Sequence, residues 1–173
     1  MRIHLALILL LPFLVVGCNE HGLSPVAPSE LTTGFSGTVT FLGEWPRDAK
    51  ECWIVVLKDM PKTPSEAAVA ILQAPKDSIP LFSTSYPYFF SVPPGRYEIV
   101  FVALLRQGQF WGLNSVVGVY FEDGDSTRTG NVFVLNECVT RDINITVDFA
   151  HIPVVIPGLP TKGFKKWTGV TEQ

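Results

Sequence analysis

The sequence predicts an all-β protein: a seven-stranded antiparallel β-sandwich with one short helix and an extended C-terminal tail. Three observations carry that expectation. Short, β-rich apolar runs recur from Gly34 onward, separated by turns rich in Gly, Pro, Asn and Asp, which is the rhythm of a sandwich and not of helix-linked parallel strands. The last run alternates along its length. Val139, Arg141, Ile143, Ile145, Val147 and Phe149 interleave with Thr140, Asp142, Asn144, Thr146 and Asp148, as on a sheet with one face in water. Only one stretch opens like a helix, with Thr63, then Pro64, and Glu66 three residues after the threonine.

Taken in order, "GFSGTVTFLG" alternates and gives a first strand over 35–42. "EWPRDAK" (44–50) is a turn, because Pro46 cannot donate to a ladder. "ECWIVVLK" (51–58) is apolar on both faces, as a central strand would be, and Trp53 within it reads as structural. The capping box predicts a helix over 64–73, expected to cover an open end of the sandwich. A loop leads to a strand over 86–92, and "PPG" (93–95) turns the chain into 96–105, where Tyr97, Ile99, Phe101 and Ala103 share one face. After "QGQFWG" come strands over 114–121, 131–135 and 138–149, with the polar loop "EDGDSTRTG" between the first two. From His151 onward no period persists, so the tail is expected to be extended.

The N-terminus speaks to location. Arg2 precedes an uncharged run from Leu5 to Val16, the layout of a secretory signal and short for a membrane span. The run closes on Val15-Val16-Gly17-Cys18, which resembles a bacterial lipobox. The resemblance implies a diacylglyceryl group on the Cys18 sulfur, cleavage before Cys18 and acylation of the new amine. Each buried methylene contributes about 0.8 kcal/mol, so several chains anchor the protein permanently. Asn19 stands where an Asp would favour the inner membrane, which implies the outer membrane of a double-membrane bacterium. The expected organisation is a signal peptide over 1–17, an anchor and flexible tether over 18–33, a body over 34–149 and a tail over 150–173.

A second resemblance concerns the body. "FSGTVTF" together with "YFFSVPPGRYEIVFVA" resembles the carboxypeptidase regulatory-like, or transthyretin-like, sandwich, within the broader immunoglobulin-like architecture. The prolines pre-set φ, Gly95 takes the positive-φ corner, and Tyr97 packs inward just past the bend. The resemblance spans 35–149, but its specific part is those two stretches, so it implies fold more than function. "STSYPYFF" departs from the family's Asp-x-x-Gly-x-Phe approach to a tight hairpin.

Chemistry is sparse. The net charge is −3, and losing residues 1–17 removes Arg2 but no acid; an acidic body does not bind nucleic acid through a basic patch. Cys52 and Cys138 form an even pair in an oxidising compartment, read as a disulfide in preference to two buried free thiols. Transthyretin-like hydroxyisourate hydrolases need several histidines and a terminal Tyr-Arg-Gly-Ser. Past the signal this chain has only His21 and His151 and ends Thr-Glu-Gln. Neither a Ser-His-Asp triad nor a His-rich zinc site follows, and no catalytic residue or cofactor is assigned. Glu122, Asp123, Asp125 and Asn131 offer oxygens to calcium without EF-hand spacing, so a solvated acidic turn is the plainer reading. Trp45, Phe110 and Trp111 fall in turns, where they stack on sugar rings or a partner's apolar surface, or else fold over the ends of the sandwich. Lys162, Lys165, Lys166 and Trp167 either touch anionic headgroups, at about 1 kcal/mol per cation, or form a solvated tail.

Together these readings predict a lipid-anchored envelope protein that binds or scaffolds a protein or carbohydrate partner and is not an enzyme. Two alternatives stand beside it. One is a subunit of an outer-membrane assembly docking by a sheet edge or the tail. The other is a glycan-acting enzyme with two carboxylates facing across a cleft.

Overall fold

The computed structural model describes residues 32–122 and 129–152. Cys18, His21, Asp123, Asp125 and the cluster of Lys162, Lys165, Lys166 and Trp167 lie outside the described residues. The described part is all-β with one helix, and none of its helices is long and apolar enough to cross a membrane.

Ten strands are present among the described residues, against the seven expected. They are β1 (Gly34–Leu42), β2 (Ala49–Leu57), β3 (Lys76–Ser78), β4 (Ser85–Ser91), β5 (Gly95–Tyr97), β6 (Ile99–Arg106), β7 (Val116–Val119), β8 (Val132–Val134), β9 (Val139–Thr140) and β10 (Ile145–Asp148). Two expected strands break in two, and β3 arises inside an expected loop. The break at Glu98 is a change of sheet. Its N–H donates to the carbonyls of Leu57 (3.1 Å) and Lys58 (3.3 Å), and its Oε2 accepts the Met60 N–H at 2.8 Å. β5 thereby pairs with β8 while β6 pairs with β2 and β7. The tight hairpin that the resemblance implies, and from whose approach "STSYPYFF" departs, is not formed: β4 pairs with β1, and β5 with β8. The local prediction holds: Gly95 has φ 151°, and Tyr97 is buried with its hydroxyl donating to the Pro93 carbonyl at 2.8 Å.

One sheet runs β10-β1-β4 with β9 also on β1, a second runs β3-β2-β6-β7, and β5 and β8 make a third. The sheets are not wholly antiparallel, since β9 and β10 both lie parallel to β1. Between them Asp142 takes φ 64°, and Asn144 Oδ1 accepts the Thr38 N–H (2.9 Å) that the gap in the ladder would leave unpaired.

A core of β1, β4 and β10 residues (Phe35, Val39, Phe90, Ile145, Val147) meets inward residues of β2, β6 and β7 (Cys52, Ile54, Val56, Val100, Val102, Leu104, Val117). Because β2 and β6 are apolar on both faces, their other face needs a cover. α1 (Pro64–Gln73) supplies it: Ala67 and Ile71 pack on Val55, Leu57, Ile99 and Phe101. The helix has the limits and the cap expected, with Thr63 Oγ1 accepting the Glu66 N–H at 3.1 Å. It covers a sheet face, however, and not an open end.

The flanks close differently. On one side Gly118 lets β7 approach β10 so nearly that a Cβ there would lie 2.7 Å from Val147 Cγ2. On the other, Tyr86 of β4 donates to Asp77 Oδ2 of β3 at 2.7 Å. β4 is an edge strand. The Phe41 N–H to Thr84 carbonyl bond and the register place Thr38 opposite Pro87 in a pair without ladder bonds, so the proline's missing N–H faces the open edge.

Strand direction gives the body two ends. β1 starts at a leading end beside β5, β8 and β9, and runs to a far end where the links 43–48, 79–84 and 107–115 gather. β10 also runs to the far end.

Candidate functional site

The far end holds Trp45, Phe110 and Trp111, the three aromatic residues that fall in predicted turns. The 43–48 link is its frame. Trp45 folds over the end of the core, with ring centroids 4.5 Å from Phe41 and 4.9 Å from Phe149, and its Nε1 donates to the Ser83 carbonyl at 2.9 Å. Asp48 carries the neighbouring loop. Its carboxylate pairs with Arg106 Nε (2.8 Å), and its carbonyl accepts the Gln107 N–H (2.9 Å). Trp45 is therefore a half-buried lid, the second of the two readings offered for it.

Trp111 is also engaged. It stacks on Trp53 with centroids 4.0 Å apart and planes 18° from parallel, and Lys76 Nζ sits 4.7 Å from the Trp53 ring. Lys76 further donates to the Leu72 carbonyl at the end of α1. Trp53 thus faces outward on β2, half-buried beside the helix, and is structural without belonging to the central core. Phe110 alone matches the exposed reading fully, at 87% exposure. The Ser115 hydroxyl holds its peptide: it donates to the Phe110 carbonyl (3.4 Å) and accepts the Gly112 N–H (3.3 Å), and Ser115 is wholly buried.

Sequence reasoning missed Phe82. It is 61% exposed at φ 63°, with its ring 5.9 Å from Trp45. A faint signal existed, since in "PLFS" only one of two adjacent apolar residues can turn inward, and Leu81 is the one packed on the core.

The remaining candidates fare as follows. Cys52 and Cys138, expected to be bridged, are free thiols. Cys52 faces the space between the sheets, whereas Cys138 is exposed at the leading end, its carbonyl accepting the Gly34 N–H. Burial pushes the Cys52 thiol up to about 12, which silences it as a nucleophile. Of the four calcium candidates, Glu122 is exposed and Asn131 Oδ1 accepts Arg96 Nε at 3.0 Å, putting a guanidinium where a cation would sit. Asp123 and Asp125 are beyond the described residues. Among the described residues no three His, Cys, Asp or Glu side chains gather as a metal would need. His151 Nδ1 lies 2.8 Å from Asp148 Oδ2, and that bond, with the Ala150 N–H, holds the Asp148 carboxyl below its ordinary value. A cavity of about 10 Å³ lies between α1 and its sheet, lined by apolar side chains including Leu57, Ile71 and Phe101, and has room for one water.

Comparison of the chain with family models, with curated proteins and with solved structures returned no match.

Proposed function

We propose that the chain is a lipid-anchored cell-envelope protein whose body, a transthyretin-like β-sandwich with one short added strand, works by binding or scaffolding and not by catalysis. Cys18 carries the lipid in this reading, and the anchor belongs to the outer membrane of a double-membrane bacterium. The sequence Leu5 to Cys18 supports the address. The observation that supports the binding role is the exposed Phe110 on a loop pinned by the buried Ser115 and by Asp48. Fixing an exposed aromatic ring gains nothing for the fold and favours a contact with something outside it. A subunit of an outer-membrane assembly is a narrower form of the same role, favoured by the same ring.

The address is tested by intact mass measurement of the full chain recovered from bacterial membranes. The expected species begins at Cys18 and carries the mass of acyl chains, while Cys18→Ser stays unprocessed. A chain that still begins at Met1 without added hydrocarbon overturns the reading.

A further inference from the structure

We infer that Asn144 is a glycosylation site, whose Nδ2 takes an oligosaccharide from a polyprenyl diphosphate carrier once the chain is exported. The site lies outside the binding role above and depends on the export half of that reading alone. Among Asn19, Asn114, Asn131, Asn136 and Asn144, only the last is followed two residues later by Ser or Thr, in "DINIT" (142–146), with no proline between. That spacing has a chemical reason. A carboxamide nitrogen is a poor nucleophile, and a transferase selects it by gripping the hydroxyl two residues further on. Asp142, two residues before the acceptor, adds a carboxylate that a cation of the enzyme can hold.

The fold leaves these groups available. Asp142, Asn144 and Thr146 are all exposed, while Ile143 and Ile145 between them are buried. Ile143 is the pin. Its N–H donates to the Ser36 carbonyl at 3.1 Å and its carbonyl accepts the Tyr88 hydroxyl. Gly37 leaves room for that carbonyl, since a Cβ there would lie 2.0 Å from the oxygen. Residues 141–144 belong to no strand, so the acceptor amide lies in a link and not in a ladder. The Thr38 N–H is a donor, which makes Oδ1 the Asn144 atom bound to β1 and Nδ2 the one left over. Among the described residues none accepts from Nδ2. Thr38 needs only an acceptor, which an aspartate or a serine would also supply, so the fold does not account for the amide nitrogen.

Glycosylation spares the Thr38 bond, because the product is still an amide with the same carbonyl. In the transfer Nδ2 attacks the anomeric carbon and a C–N bond forms. The bond from that carbon to the diphosphate oxygen breaks, polyprenyl diphosphate leaves with the electron pair, and the amide gives one proton to a base of the transferase.

The test is mass spectrometry of the full chain recovered from the membranes of the cells that make it. The expected result is a tryptic peptide beginning at Asp142 that carries added sugar, with fragment ions placing it on Asn144. Asn144→Gln and Thr146→Val each abolish the added mass, Thr146→Ser retains it, and Asp142→Asn lowers the modified fraction. Asn144→Asp, which can still accept the Thr38 N–H, loses the mass with an unchanged thermal melt, separating a lost acceptor from a lost fold. Sugar on a Ser or Thr hydroxyl in place of Asn144 overturns the inference, as does modification that survives Thr146→Val. The N-terminus of the same sample reports the address separately. An acylated chain starting at Cys18 with a bare Asn144 overturns this site and leaves the envelope reading standing, whereas a chain starting at Met1 with a bare Asn144 overturns both.

Discussion

Tyr97 shows how far one residue can be read from local chemistry. Pro93 and Gly95 shape a corner, and four residues past Pro93 the phenol turns back onto its carbonyl. Tyr97→Phe removes that bond alone and should cost about 1 kcal/mol, seen as a fall of a few degrees in a thermal melt. The cysteines show the opposite case. Pairing depends on where two distant side chains point, and strand alternation leaves both directions of β2 apolar, so the inward thiol and the exposed one look alike in sequence. Iodoacetamide should therefore label Cys138 in the folded full chain and reach Cys52 only after unfolding. Cys52 also gives a pH signature. Its folded value stands above its ordinary 9.0, so the protonated thiol favours the folded state. That stability is whole below 9.0 and is lost as pH rises toward about 12, at roughly 1.4 kcal/mol per unit. Buried Tyr88 is raised above its ordinary 10.0 and acts in the same direction. Melts of Cys52→Ala should decline less steeply through this window than those of the unsubstituted chain; equal slopes would remove the thiol from the account.

Among the elements, α1 was legible to the residue because its cap is a short-range signal. Thr63→Ala should cost about 1 kcal/mol in urea unfolding, with Ala67 and Ile71 left to hold the helix on its sheet. Its location was not legible, since a both-faced apolar strand announces that a cover is needed without saying where it comes from. The run from Arg96 to Leu105 reads as one strand, because a lone Glu98 between apolar residues looks like a solvent-facing position. Only the waiting groups of Leu57, Lys58 and Met60 make it a junction. Likewise "CVTRDINITVDF" alternates well enough to hide the break at Asp142. The β7–β10 flank supplies a sharper test. Gly118→Val drives a branched side chain into Val147 and Ile145 and should cost about 1–3 kcal/mol by denaturant titration. An unchanged midpoint would mean the two strands are not in contact.

At the scale of the whole molecule, what the sequence conveyed was class: β-rich, punctuated by Gly and Pro, with one helix. Strand order was beyond it, because β1 takes both β9 and β10 as parallel neighbours across some hundred residues of chain. The aromatic far end was half legible, since turns holding Trp45, Phe110 and Trp111 were visible while their convergence needed the sheets. Pro87 on the outer edge of β4 guards the long exposed strand against pairing with other chains. The partnership of β1 with β10 has a further consequence, one of timing. The opening strand waits for a mate some hundred residues further along, so a nascent chain cannot complete this sheet early. Under the proposed export route the lag is useful: a polypeptide still unfinished as a fold threads a translocation channel, and one that had closed would jam it. Truncation before Ile145 should leave a product that proteases digest as readily as an unfolded chain.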